Sequence, residues 1–540
     1  MIKRRHFIAG AAAVTLGRPN NGNASLRTAN NVALEIGPVP VNITGRGRMA
    51  VGLNGTVPGP ILHWKEGDTA IVSVTNRLPE PSSIHWHGLR VPSNMDGVPG
   101  FSFPGIAPGG TFVYRLPLRH AGTFWYHGHS GFQEQTGLYG AIVIDPLAGY
   151  AQPFERDYVV LLSDWSDEAP ETIARNLKSQ SDYYNHGRRT VGTFLDDARR
   201  QGLAASVSDR LDWGGMRMNP TDILDVSGAT YTYLVNGQPP NANWTALFRP
   251  GERIRLRFIN GSAMSFFDVR IPGLEMMVVQ ADGNDVQPFS VDEFRIGTAE
   301  TYDVIVRPKD DQAYTIFAQA MDRSGYGRGT LAPRNGMMRP VPAMDARPVR
   351  TMTDMGMPAG MDHGSMHHEA GPGTPARGVA VDNVVMMPMD RLNEPGVGLD
   401  NNGRRVLTYA QLRAARPGTD RRPPSRDITL HLTGNMGRYI WGFDGKKFTE
   451  AEPILLSRGE RVRFILINDT MMEHPIHLHG LWSELENAQG AFRPYKHTII
   501  VKPAERLSFL VTADEPGRWA FHCHLMFHME LGMFREVRVA

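Results

Sequence analysis

Four short histidine pairs stand out along the chain: His85-Trp86-His87, His127-Gly128-His129, His477-Leu478-His479 and His522-Cys523-His524. On an extended strand, alternate side chains point to one side. Both imidazoles of each pair therefore face one way and the middle residue faces the other. Imidazole suits copper, zinc, iron and nickel. One such pair on a surface strand is often incidental, but four at matched places in the chain make a metal cluster the better reading. The single Cys of the chain is the middle residue of the fourth pair. With His474, His528 and Met533, Cys523 completes a His₂Cys set with a candidate axial Met, the ligand set of a blue-copper electron-transfer site. A lone Cys is commonly a small buried hydrophobe, but here His residues flank it on both sides. Its sulfur would face one copper while His522 and His524 face an opposite cluster, a short covalent route for electrons. Reducing O₂ to water takes four electrons, which one blue copper and three coppers in an eight-His cluster would hold.

The elements that must position these residues repeat. Gly67-Asp68 leads to Asn76, Gly251-Glu252 to Asn260 and Gly459-Glu460 to Asn468, each through an alternating strand that closes on Asn nine residues after the Gly. Nine residues beyond Asn76 comes His85, and nine beyond Asn468 comes His477; Val269 holds that place in the second repeat. Gly122 and Gly517 each precede the next pair by five residues, whereas the strand around Tyr314 to Ala318 carries no His. Such self-similarity predicts three related β domains, near 35–147, 155–335 and 426–540, with ligands in the first and third only. Residues 171–213 have helical spacing and read as an insertion. Residues 336–425, rich in Pro, Gly, Met and Arg, read as a long irregular linker.

Composition agrees with this outline. The chain has 540 residues, with 57 Gly and 39 Pro, which favour turn-rich β structure over helical bundles. A net charge of +2 leaves no basic excess for nucleic acid. One Cys excludes an intramolecular disulfide scaffold and a thiolate-rich zinc site. Residues 1–24, with Arg4-Arg5 ahead of a short apolar stretch, read as a twin-arginine-type export signal too short to span a bilayer. The expected location is the periplasm, with no membrane anchor in the mature chain. Eleven of the 26 Met lie between Met337 and Met389. Met352, Met355, Met357, Met361 and Met366, with His363, His367 and His368, form a candidate Cu(I) set, because thioethers are soft ligands. His63, His120, His186, His431 and His497 have no partner visible in the sequence and read as ordinary surface or core residues. Glu473, just before His474, reads either as surface charge or as a group at the edge of the blue-copper site that attracts a cationic donor, and Glu530 reads in the same two ways.

The four histidine segments together resemble the multicopper oxidases, and the wider chain resembles the bacterial copper-resistance protein A branch. Supporting stretches include Asn94 to Gly100, Ser130 to Gln135, Ser181 to Asn185, Ala299 to Val304 and Met533 to Val537. The resemblance implies an all-β fold of three cupredoxin-like Greek-key sandwich or barrel domains, with a helical insertion and a Met-rich linker. It implies four copper ions. Type 1 copper would be held by His474, Cys523, His528 and Met533, and type 2 by His85 and His477. The type 3 pair would be held by His87, His127, His129, His479, His522 and His524. Asp96 sits where related oxidases have an acid that helps deliver protons; a simple turn residue before Gly97 is the alternative.

The leading expectation is a periplasmic oxidase that couples Cu(I) oxidation to reduction of O₂ to water. The alternatives are a laccase-like oxidase of phenols or other small organic reductants, and a non-catalytic copper-sequestering protein. Other periplasmic copper-handling proteins are candidate partners.

Overall fold

The computed structural model describes residues 28–185, 187–356 and 373–540. The export signal and His186 lie outside the described residues, as do Met357, Met361, His363, Met366, His367 and His368.

Among the described residues six sheets form, two from each repeat. The repeated strands are Thr69–Asn76, Ile254–Asn260 and Arg461–Asn468. Each pairs in parallel with the first strand of its repeat and antiparallel with a later one. The glycine that opens each unit, Gly67, Gly251 or Gly459, has φ between 78° and 91°. That left-handed turn is open to Gly at little steric cost.

The closing asparagines explain why the unit ends as it does. Asn76, Asn260 and Asn468 are fully buried. Each side-chain oxygen accepts the N–H two residues on, from Leu78, Ser262 or Thr470. Each amide donates to two carbonyls, those of Glu80 and Ile106, Ser265 and Ile296, or Met472 and Val501. One side chain thus ties the strand end to the loop that follows and to the opposite edge of its domain, leaving no buried polar atom of that amide unmatched. In repeats one and three, that loop leads to a histidine pair.

Helices α1 (Pro170–Ser179), α2 (Val191–Gln201) and α3 (Leu203–Gly215) form the insertion. Among the described residues, no helix is long and apolar enough to cross a membrane. The described residues of 336–425 form no strand, but they are not a loose tether. Met355, Leu392, Leu407, Tyr409 and Leu412 are buried in a core shared with the second and third repeats. Tyr409 donates to Glu300 at 2.6 Å, and Arg404 and Arg405 pair with Glu293 and Asp292. The linker is a strap over repeats two and three. The first repeat keeps a separate core.

Candidate metal centres

The two histidine-bearing domains build their halves of the cluster alike. In the first, His85 pairs backbone to backbone with His127, exchanging N–H···O bonds of 2.8 and 3.1 Å. In the third, His477 pairs with His522 across antiparallel strands His474–Leu478 and Gly517–Cys523. The second repeat has Val269 opposite Ala318 at the same place, both buried. His85-Trp86-His87 is not a regular strand; it is held by that single bridge and turns at once at Gly88 (φ 82°). Gly480 turns likewise after His479 (φ 66°). A Cβ at Gly88 would meet His497 at 2.5 Å, and one at Gly480 would collide with Trp519.

The halves then face each other. His87 stacks on His477 with ring centres 3.8 Å apart, and His85 and His479 rings lie 3.9 Å apart. His127 Nε2 is 3.3 Å from His524 Nε2, and His479 Nε2 is 2.9 Å from His522 Nε2. His129, His479 and His522 form one close trio, and His85, His87 and His127 another.

Hydrogen bonding decides which nitrogen each ring presents. The Nδ1 atoms of His85, His477 and His522 donate to the carbonyls of Asp96, His497 and Cys523. Those of His127 and His479 donate to Glu134 Oε2 at 2.7 Å and Asp96 Oδ2 at 2.8 Å. Carbonyls and carboxylates accept, so a neutral ring that donates from Nδ1 carries a lone pair on Nε2. The Nε2 atoms of His85 and His477 are buried with no partner. Lone pairs from several rings thus converge on one space, an arrangement that a shared cation relieves. Burial, with repulsion between neighbouring imidazoles, holds His87, His127, His129, His477, His479 and His524 well below the usual histidine range. Burial likewise lowers His522 to about 3. Neutral imidazole is the metal-binding form.

Cys523 Sγ points the other way. It lies 3.5 Å from His474 Nδ1 and 3.8 Å from His528 Nδ1, and those two nitrogens are 3.3 Å apart. A metal bound at about 2.0 Å to nitrogen and about 2.3 Å to sulfur fits within such a triangle. The far nitrogens are engaged: His474 Nε2 with Thr470 Oγ1 at 2.7 Å, and His528 Nε2 with Asp225 Oδ2 at 2.7 Å. Trp441 stacks on His528 at 3.8 Å. Met533 is fully buried, and its carbonyl accepts from the Cys523 N–H. Burial pushes the Cys523 thiol up.

Family profiles described as multicopper oxidase match residues 35–149, 156–336 and 421–540. The chain belongs to the multicopper oxidase family. It is 53% identical to a copper resistance protein A homolog of Pseudomonas syringae pv. tomato, over 99% of both chains. It is 54% identical to copper resistance protein A of Escherichia coli, over 94% of this chain and 92% of that one. Among solved structures, Fet3p, a multicopper oxidase that functions in iron import, aligns with TM-score 0.68 at 19% identity, covering 94% of this chain and 90% of that one. The laccase from Botrytis aclada aligns with TM-score 0.64 at 21% identity, over 94% and 87%. These likenesses establish cupredoxin-like domains. As a multicopper oxidase, the protein is an oxidoreductase that uses copper.

Several sequence expectations are corrected by the structure. His497 is no ordinary core residue: it is buried with its Nδ1 3.1 Å from His87 Nε2. Glu473 is neither surface charge nor a docking point, since it is buried and paired with Arg350 of the strap. Met355 is 1% exposed and packs in the core, with Met352 against it, so neither is a free thioether arm. The other described solitary histidines, His63, His120 and His431, stay apart from the metal sites. His63 and His431 pair with Asp145 and Asp469, and His120 packs on Trp482. Glu530 is exposed on the rim of a cavity of about 450 Å³ that also meets Phe101, Lys178, Lys447 and His129. Asp225, Glu134 and Thr470 went unremarked in the sequence, because their partners are brought to them only by folding.

Proposed function

We propose that this multicopper oxidase oxidises Cu(I) in the periplasm and reduces O₂ to water. Four Cu(I) ions each give up one electron, and one O₂ with four protons yields two waters. His474, Cys523, His528 and Met533 would hold the type 1 copper, and His85 and His477 the type 2. His87, His127, His129, His479, His522 and His524 would hold the type 3 pair. Bound copper supplies the redox chemistry, taking electrons singly and delivering them together to O₂. The observation that carries the reading is Cys523: its sulfur closes the His474–His528 triangle while its chain neighbours His522 and His524 reach the opposite cluster. The chain's own residues supply the rest. Cys523 and its peptide bonds link the two centres covalently. Asp96, buried against His479 and His85, is placed to hold a proton at the cluster. The cavity that meets His129 offers O₂ a way in and water a way out.

Two features favour a small metal ion over a phenol as donor. His528 is fully buried, its outer nitrogen covered by Asp225, which Tyr439 also meets at 2.9 Å, so no ring of a bulky substrate reaches it. The strap is also anchored beside the type 1 domain on both sides of the Met/His stretch, through Arg350 to Glu473 and through the Val385 N–H to Asp469. The names of the relatives, copper resistance protein A, support a role in copper resistance. The deciding experiment is O₂ uptake by the copper-loaded protein, with Cu(I) and with a phenol in parallel. We expect one O₂ consumed per four Cu(I) and slow phenol turnover. Full copper loading with no O₂ uptake from any donor would sink the enzyme reading.

A further inference from the structure

His497 touches two of the proposed ligands at once. Its ring Nδ1 lies 3.1 Å from His87 Nε2, and its backbone carbonyl accepts from His477 Nδ1 at 2.5 Å. The rings of His87 and His477 are stacked, yet they are engaged through opposite nitrogens. The atoms left free are His87 Nδ1 and His477 Nε2, both buried and without a hydrogen-bond partner. We propose that His497 is a positioning residue that makes His87 offer copper its Nδ1 while His477 offers Nε2. This inference rests on the cluster assignment above.

The tautomer of His87 decides which atom it offers. If Nδ1 of a neutral His87 gives its lone pair to a metal, Nε2 carries the proton and must donate it. Its neighbours at that end are His497 Nδ1 and Thr498 Oγ1, at 3.1 and 3.2 Å. Both can accept. With Thr498 Oγ1 as the sole acceptor there, the buried N–H would be held less firmly, and the ring would gain more by moving its proton to Nδ1 and losing its ligand atom.

His497 is itself held from the second repeat, which supplies no cluster ligand. Asp282, at φ 47°, turns its carboxylate to the third repeat. It accepts the N–H groups of His497 and Thr498 at 3.2 and 3.1 Å and pairs with the buried Lys496 at 2.9 Å. Lys496 also reaches Glu300, which Tyr409 of the strap contacts. Gly88 lacks the Cβ that would collide with the His497 ring. Backbone anchor, ring position and cleared space all set one imidazole against His87.

The test compares His497→Asn with His497→Leu. The two side chains have nearly the same shape, both keep the backbone carbonyl to His477, and only Asn can accept from His87. Copper per chain, the electron paramagnetic resonance of the cluster and the blue band of the type 1 site are measured on full-length protein titrated with copper. We expect His497→Leu to keep its blue band but bind cluster copper about 10-fold more weakly, the low end for loss of a partner behind a metal ligand, because Thr498 Oγ1 still accepts. His497→Asn should stay within a few-fold of the unmutated protein. Equal cluster affinity in the two variants overturns the proposal. If His497→Leu does not fold, His497→Gln against His497→Met makes the same comparison with the same deciding outcome. An unmutated protein that gains a blue band but no cluster copper overturns the cluster assignment and this inference together. Normal loading of the unmutated protein with equal variants overturns this inference alone.

Discussion

At the scale of single residues, protons and metal compete differently at the two centres. Seven of the cluster histidines, His87, His127, His129, His477, His479, His522 and His524, are already neutral when folded, whereas burial keeps the Cys523 thiol protonated through neutral pH. Loading the type 1 site must therefore release the thiol proton, and its copper affinity should rise about tenfold per pH unit. Cluster affinity should stay nearly flat between pH 7 and 5. A titration followed by the blue band and by total copper separates the two. Asp96→Asn should leave copper content unchanged yet slow O₂ turnover by about 100-fold or more, the scale of a lost proton donor. Steady-state O₂ uptake beside metal analysis checks that. The proposed ligand sets could be read from the sequence because their key spacing is short: an H-x-H pair needs only a strand. The residues behind them were not. His497 lies 410 residues from its partner His87, and Asp225 lies 303 from His528. No local pattern marks a residue whose role depends on a contact made only after folding.

At the scale of elements, the recurrent Gly-to-Asn unit is the part of the fold most open to reading. Its Gly needs a left-handed turn and its Asn ties down the next loop, so both leave the same trace in all three repeats. Asn260→Ala tests the structural half of this. It leaves two carbonyls and an N–H unmatched in the interior, at a cost of about 3 kcal/mol. The melting temperature should fall while the blue band and copper content persist, since the second repeat holds no ligand. Asn468→Ala should lose similar stability and also weaken the blue site, because Thr470, which it fixes, meets His474 Nε2. The strap was the least legible element. Its order comes from Arg350, Arg404 and Tyr409 meeting partners in other domains, and those contacts impose no periodicity on its own sequence.

At the scale of the whole molecule, burying so many neutral imidazoles has a cost in acid. Each is held below its unfolded value near 6.5, so the unfolded chain binds more protons as pH falls through 6.5 and the folded state loses ground. The loss continues down toward the folded values, about 3 for His522, at up to about 1.4 kcal/mol per pH unit for each histidine. The metal-free protein should thus melt at markedly lower temperature at pH 5 than at pH 7. Scanning calorimetry across that range tests the sign. Replacing Met357, Met361 and Met366 with Ser, together with His363, His367 and His368, should raise the KM for Cu(I) several-fold and spare phenol oxidation. Equal loss with both donors would count against a role for this stretch in delivering Cu(I).

The separate core of the first repeat carries a consequence for biogenesis. Its four histidines are synthesised early, on a domain able to pack its own interior, but their counterparts sit near the end of the chain. Domains generally fold in order of emergence. The first half of the cluster must therefore wait, complete but unpaired, until the last strands arrive and dock. Until then a stray ion meets at most the three-histidine half-site of the first repeat, and the full complement of copper becomes a proof that the whole chain has been made and closed.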